Sequence, residues 1–242
     1  MKAVPNFITI RGYAIAFDRM VNIAGLGLEI VDREALDAML SPKNRRVPVR
    51  WIEHDDDAQQ IASDVHLFAD DYGLGFSAML DVRSKAGRLS ANWSVLSAMT
   101  RAARPLDQCS VGEFAIAESE ADNIQGMACR RVVKATIGHI TICDNAAYGP
   151  HTAVWRTDVD LSAAPWRIQQ MATRWELGRQ TSELETKARR AFKSAEAIVR
   201  GRGDAAGGDL SSAQVTAFEA HARDVAAYRR QIAGLKSQGA PR

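Results

Sequence analysis

The sequence is poor in cysteine and lacks long apolar runs. Its three cysteines, Cys109, Cys129 and Cys143, have no CxxC spacing, which fits neither a disulfide framework nor a zinc site and favours a reducing compartment. No apolar stretch approaches the roughly 20 residues of a membrane-spanning helix, and the start MKAVPNFITIRGYA lacks the apolar core of a signal peptide. We therefore expect a soluble, cytoplasmic protein with no membrane partner.

A concentrated charge of either sign is also lacking. The 242 residues carry a net charge of +2, with 46% hydrophobic and 25% charged residues, which is an ordinary globular composition. A nucleic-acid-binding face usually appears as a concentrated basic stripe. Composition therefore gives no reason to expect a nucleic-acid partner, and it predicts one sizeable domain with a smaller appendage.

Short, alternating apolar runs dominate the chain up to residue 157. They predict about seven strands, at 7–16, 47–51, 61–69, 74–82, 110–117, 127–135 and 137–143. Hairpin turns are predicted at DDYG, 70–73, and at DN, 122–123. Helices are predicted at 33–40 and 89–103. We predict a mainly β domain of the α+β class over 1–157, a small closed or nearly closed barrel flanked by helices.

Residues 158–242 form a predicted helical tail. Apolar residues at three- and four-residue steps predict helices over 166–200 and from Ser211, joined by the Gly-rich linker GRGDAAGGD at 201–209. The tail has 14 basic and 10 acidic residues, against 17 and 19 in residues 1–157. It is either an interaction arm, scaffold-like or targeting, or a helical hairpin packed on its own domain.

Two of the five histidines stand in contexts that suit catalysis. His54 follows a predicted strand at the start of an acidic turn, where a scaffold would hold a general base open to solvent. His139 shares a strand face with Thr141, and is either a hydrogen-bonded structural histidine or the partner of another functional side chain. HDDD at 54–57 could instead suggest a metal site, but no second His or Cys lies at ligand spacing, so we expect no metal and no cofactor.

Ser110 is the candidate nucleophile. Alternation along its strand puts Ser110 and Gly112 on one face and the neighbouring Cys109 on the other. Gly112 is expected to remove bulk where a substrate backbone approaches. Backbone N–H groups near Gly112 are the first candidates for oxyanion donors, and the pair Arg130 and Arg131 is a weaker one.

Five motifs, in this order, resemble the prohead maturation serine protease family of tailed bacteriophages, itself similar in fold to the herpesvirus assembly protease. They are GYAIAF at 12–17, VPVRWIEHD at 47–55, DYGLGF at 71–76, CSVGEF at 109–114, and IGHITI at 137–142 followed by DNAAY at 144–148. They resemble the family's G-Y-A-x-x-F strand, its strand into the catalytic H-D, its D-x-x-G-L hairpin, its S-x-G-F strand and its L-x-E-V-S segment. Two departures stand out: Glu113 interrupts S-x-G-F, and His139 occupies the position where the family usually has Glu.

The resemblance implies a procapsid serine endopeptidase with a Ser-His-His triad, similar to the herpesvirus arrangement. Ser110 would be the nucleophile, His54 the general base and His139 the residue that orients His54. A neutral His139 lacks the charge of a carboxylate, so we expect a slow enzyme. Glu113 is expected to point to the face opposite Ser110.

The resemblance also implies partners and a place of action. The substrates would be the major capsid protein, scaffolding segments and the enzyme's own tail, inside the assembling procapsid in the host cytoplasm, and self-association is compatible with this role. Two alternatives stay open: a catalytically inactive, protease-like procapsid scaffold, and a hydrolase unrelated to phages on a small β-barrel.

Overall fold

The computed structural model describes residues 6–40, 47–51, 60–62, 65–83, 91–100, 107–200 and 210–239. The chain divides into two compact units, Met1–Trp175 and Glu176–Arg242. The functional boundary expected at residue 157 stays a prediction.

Within the described ranges, twelve strands form three four-stranded sheets. Sheet I contains β1 (Phe7–Ala16), β6 (Val65–Ala69), β7 (Gly73–Asp81) and β12 (Ala153–Arg156). Sheet II contains β2 (Val21–Ile23), β3 (Gly27–Val31), β9 (Ala115–Ile124) and β10 (Met127–Thr136). Sheet III contains β4 (Val49–Trp51), β5 (Gln60–Ala62), β8 (Gln108–Gly112) and β11 (His139–Cys143).

The strand orders are β12-β1-β7-β6, β2-β3-β10-β9 and β5-β4-β11-β8. Neighbours are antiparallel except for two parallel pairs, β3 with β10 and β4 with β11. The helical elements are a 3₁₀ helix at Arg33–Leu40, α1 (Ala91–Met99), α2 (Trp166–Arg200), α3 (Ser212–Gly239), and short 3₁₀ turns at Gly149–His151 and Leu161–Ala163.

The predicted α+β class is confirmed, but the predicted number of strands was too low. Two predicted strands are each split: 61–69 contains β5 and β6, and 110–117 contains β8 and the start of β9. Three strands of three to five residues, β2, β3 and β12, were not predicted, because so short a segment shows little alternation. Closure of the sheets into a barrel stays a prediction.

The hairpin turn predicted at 122–123 is wrong. Both residues lie inside β9, and the chain reverses at Gln125 and Gly126, with φ of 54° and 83°. Positive φ at both central residues is typical of a two-residue type I′ hairpin, whose backbone twist matches that of the strands. The Gln-Gly pair was therefore the better turn signal.

Asp70 ties the β6–β7 hairpin, which was predicted correctly, to β1. Its Oδ1 accepts hydrogen bonds from the backbone N–H of Tyr72 at 2.7 Å and of Gly73 at 2.9 Å. Its Oδ2 accepts one from the Tyr13 hydroxyl at 2.5 Å. Burial raises the pKa of Asp70, and burial together with the nearby carboxylate raises the pKa of Tyr13. The turn and the central strand of sheet I are thus joined by buried hydrogen bonds.

Two apolar clusters stabilise the first unit. The larger one contains buried residues of all three sheets, for example Ile10, Val31 and Ile140. The smaller one packs the first turns of α2 on sheet I and contains Tyr13, Phe68, Ala153, Trp155, Ile168, Met171 and Trp175. Trp175 is 1% exposed, and its Nε1 donates a hydrogen bond to the Phe76 carbonyl at 3.2 Å. The start of α2 is therefore part of the core of this unit.

The second unit contains the rest of α2 and all of α3. Arg179 forms ion pairs with Glu176 and Glu183 along α2, and Lys236 of α3 lies 3.5 Å from Glu185. None of the described side chains of α3 is buried, and Val215 and Phe218 expose 39% and 37% of their surface. The predicted linker at 201–209 lies outside the described residues. In the part of the chain that the structure describes, no helix combines the length and apolarity needed to cross a membrane.

Two tryptophans of α2 provide a test of how this helix is anchored. Because Trp175 is 1% exposed and Trp166 is 71% exposed, Trp175→Ala should lower the free energy of unfolding by about 3–5 kcal/mol. Trp166→Ala, the matched control, should change it by less than about 0.5 kcal/mol. Denaturant unfolding followed by circular dichroism measures both, and equal effects would contradict the packing described.

The buried phenols of Tyr13 and Tyr148 and the partly buried phenol of Tyr72 predict the response of the fold to alkali. Burial raises the pKa of Tyr13, Tyr72 and Tyr148, and hydrogen bonds to Asp70 and Glu29 add to the shift for Tyr13 and Tyr148. A folded-state pKa above the unfolded value of about 10 contributes stability that is complete below that pH and is lost as the pH rises. Phenolate absorbance of these three side chains should therefore appear together with unfolding.

The control is the protein in concentrated urea, where all four tyrosines of the sequence should ionise near the ordinary value of about 10. Gradual ionisation of all four phenols in the folded protein, without loss of circular dichroism, would contradict the expectation.

Candidate active site

The pairing of β8 with β11 brings two of the predicted site residues together. In this antiparallel register Ser110 lies opposite Thr141 and Gly112 lies opposite His139. Directly paired residues of neighbouring strands share a face, so Ser110 and His139 lie on the same face of sheet III. Ser110 is 3% exposed and His139 is 1% exposed. Sheet III thus has a serine and a histidine, both buried, on one face of adjacent strands.

Cys109 lies on the opposite face, as alternation predicted. It is fully buried in the larger apolar cluster, and its Sγ donates to the Tyr13 carbonyl at 3.1 Å. Burial, and then the proximity of Cys143, raises the pKa of the Cys109 thiol well above its ordinary value. A thiol that stays protonated is a poor nucleophile. Of the adjacent Cys109 and Ser110, only the serine is placed on the histidine side.

Gly112 makes room for the ring of His139 rather than for a substrate backbone, which corrects the expectation from the sequence. A Cβ atom at position 112 would lie 1.9 Å from Nε2 of His139 and 2.2 Å from its Cε1. Real Cβ contacts do not approach this distance, so any side chain there would displace the ring. The glycine therefore lets the imidazole of β11 lie directly against β8, with Nε2 towards the Ser110 strand.

Glu113 lies beside His139, so the expectation that it points to the opposite face is wrong. Its φ of 51° is left-handed, which ends β8 and breaks the alternation on which that expectation depended. Its Oε1 is 3.6 Å from Nδ1 of His139. A Cβ atom at Gly138 would lie 2.0 Å from Oε2 of Glu113, so this carboxylate lies against the backbone of Gly138.

Hydrogen bonds hold β8 in place at both ends. Arg167 of α2 donates to the Asp107 carboxylate at 2.8 Å and to the Thr152 carbonyl at 2.6 Å. At the other end, Gly138 N–H donates to the Gly112 carbonyl at 3.0 Å. The strand that carries Ser110 is therefore anchored by a charged pair before it and by a backbone hydrogen bond after it.

The third predicted site residue, His54, lies outside the described residues. The structure describes the strand before it: β4 ends at Trp51 and lies parallel to β11, with Arg50 in register with Thr141 and Trp51 with Ile142. The chain therefore reaches the segment of His54 from the strand next to that of His139.

Arg130 and Arg131, the weaker candidates for oxyanion donors, form ion pairs on sheet II instead. Arg130 pairs with the buried Glu29, which also accepts a hydrogen bond from Tyr148 at 2.6 Å. Arg131 pairs with Asp32 and Asp122. These contacts satisfy both guanidinium groups and give them a structural role. Among the residues that the structure describes, no group of three or more His, Cys, Asp or Glu side chains is arranged for a metal ion.

A serine and a histidine on one face of adjacent strands are two of the groups that a serine hydrolase requires. The chain belongs to the caudovirus prohead serine protease family, whose sequence pattern matches residues 1–163. The resemblance found in the five motifs is thereby confirmed. No curated protein matches the chain closely enough to count as a relative.

Membership of the family implies a phage prohead serine protease. It also implies that capsid or scaffold proteins are the substrates and that the protein acts in the assembling procapsid.

The surroundings of Gly112 and Gly234 predict opposite changes in the free energy of unfolding when each glycine is replaced by alanine. Gly112→Ala should lower the free energy of unfolding by about 1–3 kcal/mol, because the new methyl group overlaps the ring. Gly234→Ala is the matched control: the position is inside α3, and a Cβ there would have no atom within 4 Å apart from its chain neighbours and the adjacent backbone of its own helix. It should stabilise its helix by up to about 1 kcal/mol. Urea unfolding measures both, and an unchanged stability of Gly112→Ala would contradict the contact.

Proposed function

We propose that the protein is a procapsid serine endopeptidase in which Ser110 attacks the scissile carbonyl, His54 is the general base and His139 orients His54. The observation that carries this proposal is the shared face of Ser110 and His139 on adjacent strands. The same proposal includes closure of the three sheets into a barrel and a protease domain over 1–157, followed by a helical tail over 158–242.

The spacing between the serine and the histidine supports a third group between them. The ring of His139 lies against Gly112, and two residues along a strand separate Gly112 from Ser110 by about 6.7 Å between Cα atoms. One imidazole with a hydrogen bond of about 2.7–3.2 Å at each end is proposed to bridge the serine and the histidine over this separation. The arrangement favours a relay of serine, bridging histidine and orienting histidine.

In the proposed relay, His54 reaches Ser110 from the end of β4. It follows Trp51, the last residue of β4, by three residues, so their Cα atoms are at most about 11 Å apart. β4 and β8 flank β11, which separates them by about 10 Å, or two strand spacings. Chain length therefore permits His54 to enter the space between Ser110 and His139.

In the proposed reaction the Ser110 oxygen attacks the carbonyl carbon while one nitrogen of His54 takes its proton. The far nitrogen of His54 donates a hydrogen bond to His139, which keeps the near nitrogen free as a base. His54 then returns the proton to the leaving amine, the C–N bond breaks, and water releases the acyl group by the same route. Backbone N–H groups after Ser110 are the proposed oxyanion donors.

The proposed substrates are extensions of the major capsid protein, scaffolding segments and the enzyme's own tail. In this proposal the helical tail holds the protease in the procapsid and is removed during maturation. The composition of GRGDAAGGD at 201–209 is typical of a segment that proteases cut easily.

A catalytically inactive, protease-like procapsid protein is the second candidate function. The observation that favours it is the 3% exposure of Ser110, because a peptide reaches the hydroxyl only after the covering groups move. Activity must therefore be tested both in the isolated protein and after assembly with the capsid protein.

A fluorophosphonate probe tests the proposed nucleophile, since it forms a P–O bond with an activated serine and releases fluoride. The full chain should gain one probe mass on Ser110, and Ser110→Ala should abolish labelling. His54→Ala should slow labelling by a factor of about 10³ or more, because base and nucleophile act as a unit. Mass spectrometry locates the label.

Ser119→Ala is the matched control, because Ser119 is also a strand serine but lies on β9 in sheet II. It should label like the unchanged protein. Absence of labelling in protein assembled with its capsid partner would overturn the proposal and favour the inactive scaffold.

A further inference from the structure

Glu113 is the charged residue that the proposed triad leaves unused. Its left-handed φ of 51° turns its side chain out of the alternation of β8 and towards β11. Left-handed backbone is uncommon for residues other than glycine, and it deserves a structural reason where it occurs beside a candidate site. The reason visible here is contact: Oε1 lies 3.6 Å from Nδ1 of the buried His139.

Two glycines allow the side chains of Glu113 and His139 to cross between β8 and β11. The His139 ring extends from β11 over Gly112, and the Glu113 side chain extends the other way over Gly138. A Cβ atom at either glycine would come within 2.0 Å of the crossing side chain. The hydrogen bond from Gly138 N–H to the Gly112 carbonyl, 3.0 Å long, fixes the crossing point. The orientation of the imidazole is thus set from both of its edges.

We propose that Glu113 is a positioning residue that keeps the proton of neutral His139 on Nδ1 and leaves Nε2, which faces β8, as a hydrogen-bond acceptor. The inference rests on the proposed function, because an acceptor at Nε2 is what the far N–H of the bridging base requires. Glu113 also supplies the negative charge that a Ser-His-His triad lacks. In a Ser-His-Glu triad the carboxylate contacts the base directly, whereas the Glu113 carboxylate lies beyond His139.

The distance determines how Glu113 acts. At 3.6 Å the contact is longer than a hydrogen bond, so the effect is that of a negative charge beside the Nδ1 edge. Glu113 is 62% exposed while His139 is 1% exposed, and water therefore screens part of the attraction. Among the described residues, Arg50 of β4 is a further charged residue on this face, because it is in register with Thr141, two residues from His139. If catalysis produces an imidazolium on the bridging histidine, its positive charge strengthens the electrostatic stabilisation that the Glu113 carboxylate provides.

The test compares Glu113→Gln with Glu118→Gln. Glu118 has the same 62% exposure and is paired with Lys134 on sheet II, which makes it a matched control. Glu113→Gln should slow fluorophosphonate labelling of the full chain by about 2- to 5-fold, the range of a partly screened ion pair. The acid limb of its pH profile should move to lower pH, since losing the carboxylate disfavours the protonated imidazoles. Glu118→Gln should leave rate and profile unchanged.

A double-mutant cycle separates charge from packing. His139→Glu places a carboxylate beside Glu113, so in that background Glu113→Gln should speed labelling instead of slowing it. If Glu113 had only a structural role, Glu113→Gln would slow labelling equally with and without His139→Glu. That result would count against the proposal. Circular dichroism checks that His139→Glu folds; if it does not, the spectroscopic measurement below decides.

Nitrogen NMR of ring-labelled histidine reads the tautomer without any activity. The His139 signals, assigned by their loss in His139→Gln, should show a protonated Nδ1 in the unchanged protein and a mixture of tautomers in Glu113→Gln. A protonated Nε2 in the unchanged protein would overturn the proposal.

The two hypotheses fail in different ways. If Ser110→Ala labels normally, the proposed function fails whatever the tautomer. If Ser110→Ala is unlabelled but Glu113→Gln matches the unchanged protein in rate, pH profile and tautomer, only the role of Glu113 fails.

Discussion

The register between β8 and β11 is the constraint on which the rest of the site depends. It places Ser110 beside Thr141 and Gly112 beside His139, while Cys109 and Ile142 face the apolar core. A slip of one residue would exchange the two faces, bury the serine in the core and present the thiol in its place. Because burying apolar surface drives folding, the same interactions that stabilise sheet III also select the serine as the group on the histidine side.

The His139 and Glu113 side chains cross between β8 and β11 only because two glycines leave space for them. The geometry of the site therefore depends on residues that have no reactive group. Gly112 and Gly138 contribute space, and each would force a side chain out of position if it carried a Cβ atom. Two of the departures from the family motifs, Glu113 and His139, are neighbours in space, with Oε1 of Glu113 3.6 Å from Nδ1 of His139. Phe114 follows Glu113 and still packs against the larger apolar cluster. The left-handed conformation of Glu113 therefore allows the chain to keep this apolar contact.

The fold was predictable where a segment is long and its pattern regular. β1 and α2 have the predicted bounds, Phe7–Ala16 and Trp166–Arg200, because ten to 35 residues show their period clearly. Short strands such as β12 depend on a pairing partner that is distant in sequence, in this case β1. The turn at Gln125 and Gly126 was missed because turn-forming residues just before it, inside β9, gave a competing local signal.

The candidate nucleophile, the opposite orientation of Cys109 and the order of motifs that identified the family could all be predicted from the residues alone. Alternation is a local property of a strand, so it can be read from the residues alone. The contact of Gly112 with His139 and the position of Glu113 beside that ring became visible in the folded chain. Both facts arise from contacts between strands more than 20 residues apart in sequence and from a single left-handed φ. Neither a cross-strand contact nor one unusual backbone angle leaves a periodic trace in the sequence.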